Sequence, residues 1–426
     1  MNDQIAALGA MEILDSRGNP TLKVFVELRG GVRASASVPS GASTGAHEAV
    51  ELRDGDPKRF GGKGVRRAVA AVTEIIAPKL VGISAARQRD IDGLLIGLDG
   101  TKDKSRLGAN ALLGVSMASR ARRRLRRVGR SMPISRASRP SRLPVPMMNV
   151  INGGAHADNS LDFQEFMLVP HGAPSFAEAL RYGAEIFQAL RTRLGKSGYS
   201  TSVGDEGGFA PKLRNNEEAC NLIVEAIEAA GFVPGKEVAI ALDPAASGFR
   251  AHDGYMLRKS GEGSKTSNEL IDLYAGWSRR YPIVSIEDGL GEDDWAGFRA
   301  LTAALGERLQ IVGDDLYVTH PEFIRRGIAE KASNAVLIKL NQIGTVTETI
   351  EAVDLCRAAA WNFIISHRSG ETDDAFIADF AVATGASQIK AGSVCRGERT
   401  AKYNRLLEIE RKLGEAACFE SPFLPR

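Results

Sequence analysis

The sequence predicts an α+β N-terminal capping domain over residues 1–137, followed by a TIM-like α/β barrel over residues 138–426. Three observations carry this expectation. A chain of 426 residues is too long for one small core. From about residue 144, short apolar runs recur, each followed by a helical stretch, which implies parallel strands joined by helical crossovers. Most of these runs also close on a charged residue. In a barrel that phase is the C-terminal mouth, where such enzymes keep their active sites.

In the first domain "TLKVFVELRG" alternates like a strand, and "GVRRAVAAVTEIIAPKLVG" has helical spacing that ends in Pro and Gly signals. The later runs are "EFMLVP", "EVAIALD", "YPIVSIED", "LQIVGDD", "NAVLIKL", "NFIISHR" and "SQIKAGS". Their closing residues are Asp243, Glu287, Asp314, Lys339, His367 with Arg368, and Lys390, at steps of 44, 27, 25, 28 and 23 residues. Four of the five steps match one strand-helix unit, and the longer first step also holds a hairpin around "FRAHDGYML". A lone acid at a strand end often only caps the next helix, but six such residues in register are not explained that way.

Composition removes several function classes. No apolar run approaches a membrane span, and the N-terminus lacks a basic flank and a signal-like apolar core. Four scattered cysteines (Cys220, Cys356, Cys395, Cys418) fit a reducing cytoplasm rather than a disulfide scaffold or a zinc site. The net charge of +3 comes from one segment. Ten arginines lie between Arg120 and Arg142, no acid occurs between Asp103 and Asp158, and without those ten the balance is 3 − 10 = −7.

The strand-end residues specify a chemistry. Asp243, Glu287 and Asp314, converging at one mouth, would repel one another unless a cation sat between them, and an all-oxygen set favours a hard ion such as Mg²⁺. The plain alternative is three unrelated exposed acids. Lys339 sits in an apolar run one strand beyond the last acid. Burial and a nearby divalent cation would both lower its pKa and prepare it as a general base, whereas the alternative is a structural salt bridge to one of the acids. An elimination also needs an acid. "SVGDEGGFAP" offers Glu206, and "NGGAHADNSLDFQEFMLVP" offers His156, Gln164 and Glu165. Two neighbouring glutamates would raise one pKa and keep one proton at neutral pH.

Motifs spread over nearly the whole chain resemble the enolase family. They include "EILDSRGNPT", "VPSGASTGAHEA", "KSRLGANA", "VPMMNVINGGAHA", "QEFM", "SVGDEGGFAP", "LDPAAS", "SIED", "GDDL", "KLNQIGT", "SHRSGETDD" and "AKYNRLL". The resemblance implies an enolase-type barrel and the dehydration of 2-phosphoglycerate to phosphoenolpyruvate. It also implies two Mg²⁺ per site, the second arriving with substrate. By resemblance, Asp243, Glu287 and Asp314 are ligands of the first ion, and Ser43 in "SGASTG" serves the second. Lys339 resembles the base and Glu206 the acid, supported by Glu165 and Gln164. His156 and His367 line the pocket, while Arg368, Ser369, Lys390 and Ala42 contact substrate. A homodimer or higher oligomer in the cytoplasm is implied, with a secreted or cell-surface location as a secondary one. The rival reading is another enolase-superfamily acid-sugar dehydratase or racemase, against which "SHRSGE" and "SGASTG" speak.

The chain departs from that pattern at "SMASRARRRLRRVGRSMPISRASRPSR", where the family has a small apolar helix. A basic nucleic-acid arm is one reading, weakened by the lack of interleaved aromatics. The favoured one is an alanine-rich helix altered by a local frameshift, because GC-rich alanine codons read one base out yield arginine and proline. Leu107, Ala111, Gly114, Ala118, Ala121, Leu125 and Val128 still step by 4 and 3, one continuous helical face. The helix is expected from near Gly108 to about Val128, with irregular chain beyond Gly129. Met11 stands where the family has an arginine that bridges to a partner at the position of Glu398. Lys23 and Glu408 reverse a family pair of opposite order, and Gly248 replaces a common glutamate with no obvious consequence.

Overall fold

The computed structural model describes residues 3–41, 45–129, 141–252 and 254–423. The chain opens with β1 (Ile5–Leu14), β2 (Pro20–Leu28) and β3 (Arg33–Ser37), an antiparallel meander. Along β2, Leu22, Val24, Val26 and Leu28 are buried, as alternation requires. A continuous helical stretch follows, made of α1 (Arg66–Ala70), a π-helical Ala71–Ile76 and α2 (Ala77–Leu80). Then come α3 (Gln88–Asp99) and α4 (Ala109–Gly129). The latter packs on the sheet at Gly114, where an added Cβ would lie 2.6 Å from Val24 Cγ2. The expected helix to about Val128 is therefore present. Leu107, Ala111, Gly114 and Ala118 are buried along its stripe, while the side chains of Ala121, Leu125 and Val128 lie outside the described residues. So do Arg130, Arg136 and Arg139, the expected irregular chain up to residue 140, and the expected domain boundary at 137/138.

The second part begins with β4 (Ser141–Leu143), β5 (Val145–Asn152) and β6 (Glu165–Val169). It continues through α5 (Phe176–Lys196), α6 (Asn216–Ala229) and β7 (Ala239–Asp243) to the small sheet β8 (Arg250–Ala251), β9 (Gly254–Leu257) and β10 (Gly263–Lys265), which contains the expected hairpin. Regular units complete it: α7 (Ser267–Arg280), β11 (Ile283–Glu287), α8 (Trp295–Leu305), β12 (Gln310–Gly313), α9 (Pro321–Glu330) and β13 (Ala335–Ile338). After these come α10 (Leu340–Ile343), α11 (Val346–Ala358), β14 (Asn362–Ser366), α12 (Phe376–Thr384), β15 (Gln388–Lys390), α13 (Gly397–Leu413) and β16 (Ala417–Phe419). Strands β11-β12-β13-β14-β15-β5-β6-β7 close into a barrel.

One expectation is corrected. The barrel is not wholly parallel, because β6 runs antiparallel to both β5 and β7. The link from β5 to β6 contains only a 3-10 turn, Gly154–His156, and a parallel return needs a full crossover. The helix pair α5 and α6 then brings the chain back for a second antiparallel pairing. The consequence is functional: the first residue of β6, not its last, stands at the mouth, so Glu165 pairs with Asp243.

The barrel interior is packed by Met167, Val169, Ala239, Ala241, Val312, Ala335, Leu337 and Ile364 among others. Val336 and Ile338 belong to the core outside it. With a side-chain period of two, Ala335 and Leu337 are continued inward by Lys339, Ala241 by Asp243, Val312 by Asp314, and Met167 by Glu165. That is why these four polar residues converge. Among the described residues no helix is long and apolar enough to cross a membrane.

Candidate active site

Lys390, 2% exposed at the end of β15, is the hub of the mouth. Its Nζ lies 2.8 Å from Asp243 Oδ2, 2.8 Å from Glu287 Oε1 and 3.2 Å from Glu165 Oε1. Burial opposes its charge, but Asp243, Glu165 and Glu287 outweigh burial and hold the ammonium well above its usual range. Glu287 is pushed well up by burial and then by the charge of Asp243. Its Oε2 is buried with no hydrogen-bond partner among the described residues.

Lys339 donates to Asp314 Oδ2, and Gln342 Nε2 donates to Asp314 Oδ1 at 2.9 Å. Burial alone would lower the Lys339 pKa, but the adjacent Asp314 carboxylate reverses the sign and raises it. Burial acts on Lys339 in the expected direction, and the direct ion pair with Asp314 opposes it. Asp314 also belongs to a tight cluster with Asp288 and Asp315, whose ligand-capable atoms all lie within 4.8 Å of one another. Asp288, at a positive φ of 39°, accepts from the backbone N–H of Asp314 at 2.9 Å and of Asp315 at 2.8 Å. Burial and Asp314 push Asp315 up to about 7. Sequence reasoning missed Asp288 and Asp315, although each is the second acid of a quoted motif, "SIED" and "GDDL".

The unpartnered Glu287 Oε2, beside carboxylates from neighbouring strands, fits a hard divalent cation. Asp243, Glu287 and Asp314 are the expected ligands, whereas among the described residues the acids that meet within 4.8 Å of one another here are Asp288, Asp314 and Asp315.

Opposite this group lie Glu165, Glu206 and His156. His156 Nδ1 is 3.7 Å from both Glu165 Oε1 and Glu206 Oε1. Glu206 is carried by a glycine-rich turn, in a loop that bridges to β5 through Ile151 and Phe209. The next residue, Gly207, has φ 87°, and a Cβ there would lie 2.7 Å from Cys395 O. Glu206 Oε2 receives Asn149 Nδ2 at 3.2 Å and lies 3.3 Å from His367 Nε2. Burial raises the Glu206 pKa, but His367, His156 and Arg399 outweigh it and hold this carboxyl well below its usual range. Glu165 goes the other way, raised well above by burial and by the Glu206 charge. The two neighbouring glutamates are thus split as expected, Glu165 upward and Glu206 downward.

Arg368 makes a forked contact with Glu48, Nη1 to Oε2 at 2.9 Å and Nη2 to Oε1 at 3.1 Å, and Nη1 donates to Asn341 Oδ1 at 3.0 Å. Glu48 offers this guanidinium the planar carboxylate that an anionic substrate would offer. Sequence reasoning missed Glu48 and Asn341, although both lie within quoted motifs. His156, Gln164, Glu165, Glu206, Asp243, Asp314, Lys339, His367, Arg368, Ser369 and Lys390 line one cavity of about 20 Å³. Ala42 and Ser43 lie outside the described residues.

Comparison with known proteins gives this geometry a family. A model described as the enolase N-terminal domain matches residues 5–123, and one described as the enolase C-terminal TIM barrel domain matches residues 140–422. The chain is 62% identical over 422 residues to "Enolase 1" of Methylococcus capsulatus, covering 98% of this chain and 100% of that one. The chain belongs to the enolase family. It is likewise 58% identical to an enolase of Desulfotalea psychrophila over 98% of this chain and 100% of that one. With "Enolase 2" of Methanospirillum hungatei the identity is 55%, covering 98% of each. As an enolase-family chain it is an enzyme of the lyase class, a phosphopyruvate hydratase. Residues 124–139, between the two matched enolase domains, fall inside the arginine-rich segment.

Proposed function

We propose that this chain catalyses the Mg²⁺-dependent, reversible dehydration of 2-phosphoglycerate to phosphoenolpyruvate, as part of glycolysis and gluconeogenesis in the cytoplasm. The observation that carries the reading is the pairing of one buried lysine with one buried glutamate pair across a single acidic cavity. Lys339, as the free amine, removes the proton α to the substrate carboxylate. The electron pair stays on the substrate as an enediolate. The Glu165/Glu206 pair holds the one proton that the departing hydroxyl needs to leave as water, and Glu206 delivers it while Gln164, His156 and His367 line its path. Arg368, Ser369 and Lys390 hold the substrate anions, and Ala42 also contacts substrate. Asp243, Glu287 and Asp314 would hold one Mg²⁺ and Ser43 would serve a second; bound there, the ions would supply positive charge that stabilises the enediolate. The small domain, residues 1–137, covers the mouth of the barrel, residues 138–426, and two copies form a dimer.

Purified protein given 2-phosphoglycerate and Mg²⁺ is expected to form phosphoenolpyruvate, and chelation is expected to stop it. No product, or turnover of an unphosphorylated sugar acid instead, would transfer the reading to the acid-sugar dehydratases or racemases of the superfamily.

A further inference from the structure

We infer that Arg399, on α13 and outside the cavity, is a positioning residue that fixes the tautomer of His367 and the two loops carrying the acid side of the site. This rests on the proposed reaction, in which His367 and Glu206 act together.

The side chain of Arg399 is fully buried. Its Nη1 lies 2.5 Å from His367 Nδ1 and donates to Arg368 O at 2.6 Å. Its Nη2 donates to Ser369 O at 2.6 Å and to Asp205 O at 3.1 Å. One rigid fork therefore ties the backbone after β14, which bears His367, Arg368 and Ser369, to the residue preceding Glu206. A guanidinium has only donors and is not deprotonated in proteins. The ring atom facing it must be an acceptor, so His367 Nδ1 carries no proton. The neutral ring then has its proton on Nε2, which faces Glu206 Oε2 at 3.3 Å. The ring is thereby set as a donor to Glu206 and cannot take Glu206's place as the acid. Burial and the Arg399 charge also act against protonation of the ring, lowering it to about 4. Lys402, one turn on, holds the same loop from behind: its Nζ donates to Glu371 Oε2 at 2.8 Å and to Thr372 O at 2.6 Å. That contact is structural; the contact to the ring is specific to Arg399.

The test is nitrogen NMR of the full chain labelled at histidine, with the His367 signals assigned by their loss in His367→Gln. Wild type is expected to show His367 as the neutral Nε2–H tautomer at pH 7. Arg399→Met removes every donor that faces the ring while keeping an unbranched side chain. Nδ1 is then free to carry the proton, so His367 should move toward the Nδ1–H tautomer. The expected kinetic effect is a fall in kcat of roughly 10–100-fold, with KM changed far less. A charged or Nδ1–H ring in wild type would overturn the inference, even if the variant does not fold. So would a folded Arg399→Met whose ring signals stay unchanged, whether or not kcat falls. Absence of 2-phosphoglycerate turnover in wild type would sink the proposed reaction while leaving the tautomer measurement to decide this inference.

Discussion

At Lys339 burial and pairing act in opposite directions, and Asp314 wins. The contact of Lys339 with Asp314 thus favours the ammonium, and the proposed base role requires Asp314 to be engaged elsewhere. Lys339→Ala is expected to lower turnover on the order of 10²–10⁴-fold while substrate and Mg²⁺ still bind. Near wild-type kcat in that variant would remove the base role. Asp314→Asn deletes one of the charges proposed to hold the ion, so Mg²⁺ affinity measured by titration should fall along with activity at ordinary metal concentrations. Unchanged affinity would count against the ligand assignment. His367 links the site to pH. Its folded pKa of about 4 lies below the ordinary 6.5, so between those values the unfolded chain binds the extra proton. This contribution to stability is complete above about pH 6.5 and is lost as pH falls toward 4, roughly 3 kcal/mol in all. Melting curves across this window should fall less steeply for His367→Gln than for wild type; parallel curves would refute a buried neutral ring.

Among the secondary-structure elements, α4 is the one that runs into the arginine-rich segment. Its N-terminal half is locked to the sheet and to the barrel by contacts that precede the arginines. Ser116 Oγ accepts from Val346 N at 3.0 Å, and the buried Asp92 of α3 accepts from Thr347 N at 2.9 Å, so both cap α11. Lys104 pairs with Glu348 at 2.9 Å across the same boundary. These contacts join the two domains through residues that precede the arginine-rich segment. Replacing 119–142 with an alanine-rich segment is expected to raise the melting temperature and leave kcat nearly unchanged. Arginine is costly to bury unpaired, and alanine propagates helix better. Loss of activity in the replaced chain would show that the segment has a role in the site.

For the whole molecule, the small sheet exposes Met11 (48%), Leu14 (57%) and Phe25 (40%). Lys23 lies over the Phe25 ring at 5.8 Å, and Glu408 already receives Arg405 at 2.7 Å within its own chain. Glu398, the position expected to reach across to a partner, is likewise bonded internally by Arg396 at 2.7 Å. An exposed ion pair contributes only about 0–1 kcal/mol, so the proposed dimer depends on apolar area rather than on Lys23 and Glu408. Sedimentation at micromolar concentration should give a dimer, and Lys23→Ala should leave it intact. A wild-type monomer would refute the assembly.

The sequence by itself determined which residues close the strands. Alternation with period two aims Asp243, Asp314 and Lys339 inward once a barrel is assumed, and the helical step carried α4 as far as Gly129. It could not determine partners, because those come from distant segments. Arg368 meets Glu48 across 320 positions, and Lys390 meets Asp243 across 147. The reversed direction of β6 was illegible too, since alternation is the same read either way; only the short return from β5 decides it. Protonation follows the same division. Burial alone would lower Lys339 and raise Glu206, and both signs are reversed by neighbours that only the folded chain brings within hydrogen-bond or ion-pair distance. Residue type and period are local properties of a chain, whereas charge state depends on what the closed barrel sets beside each buried group.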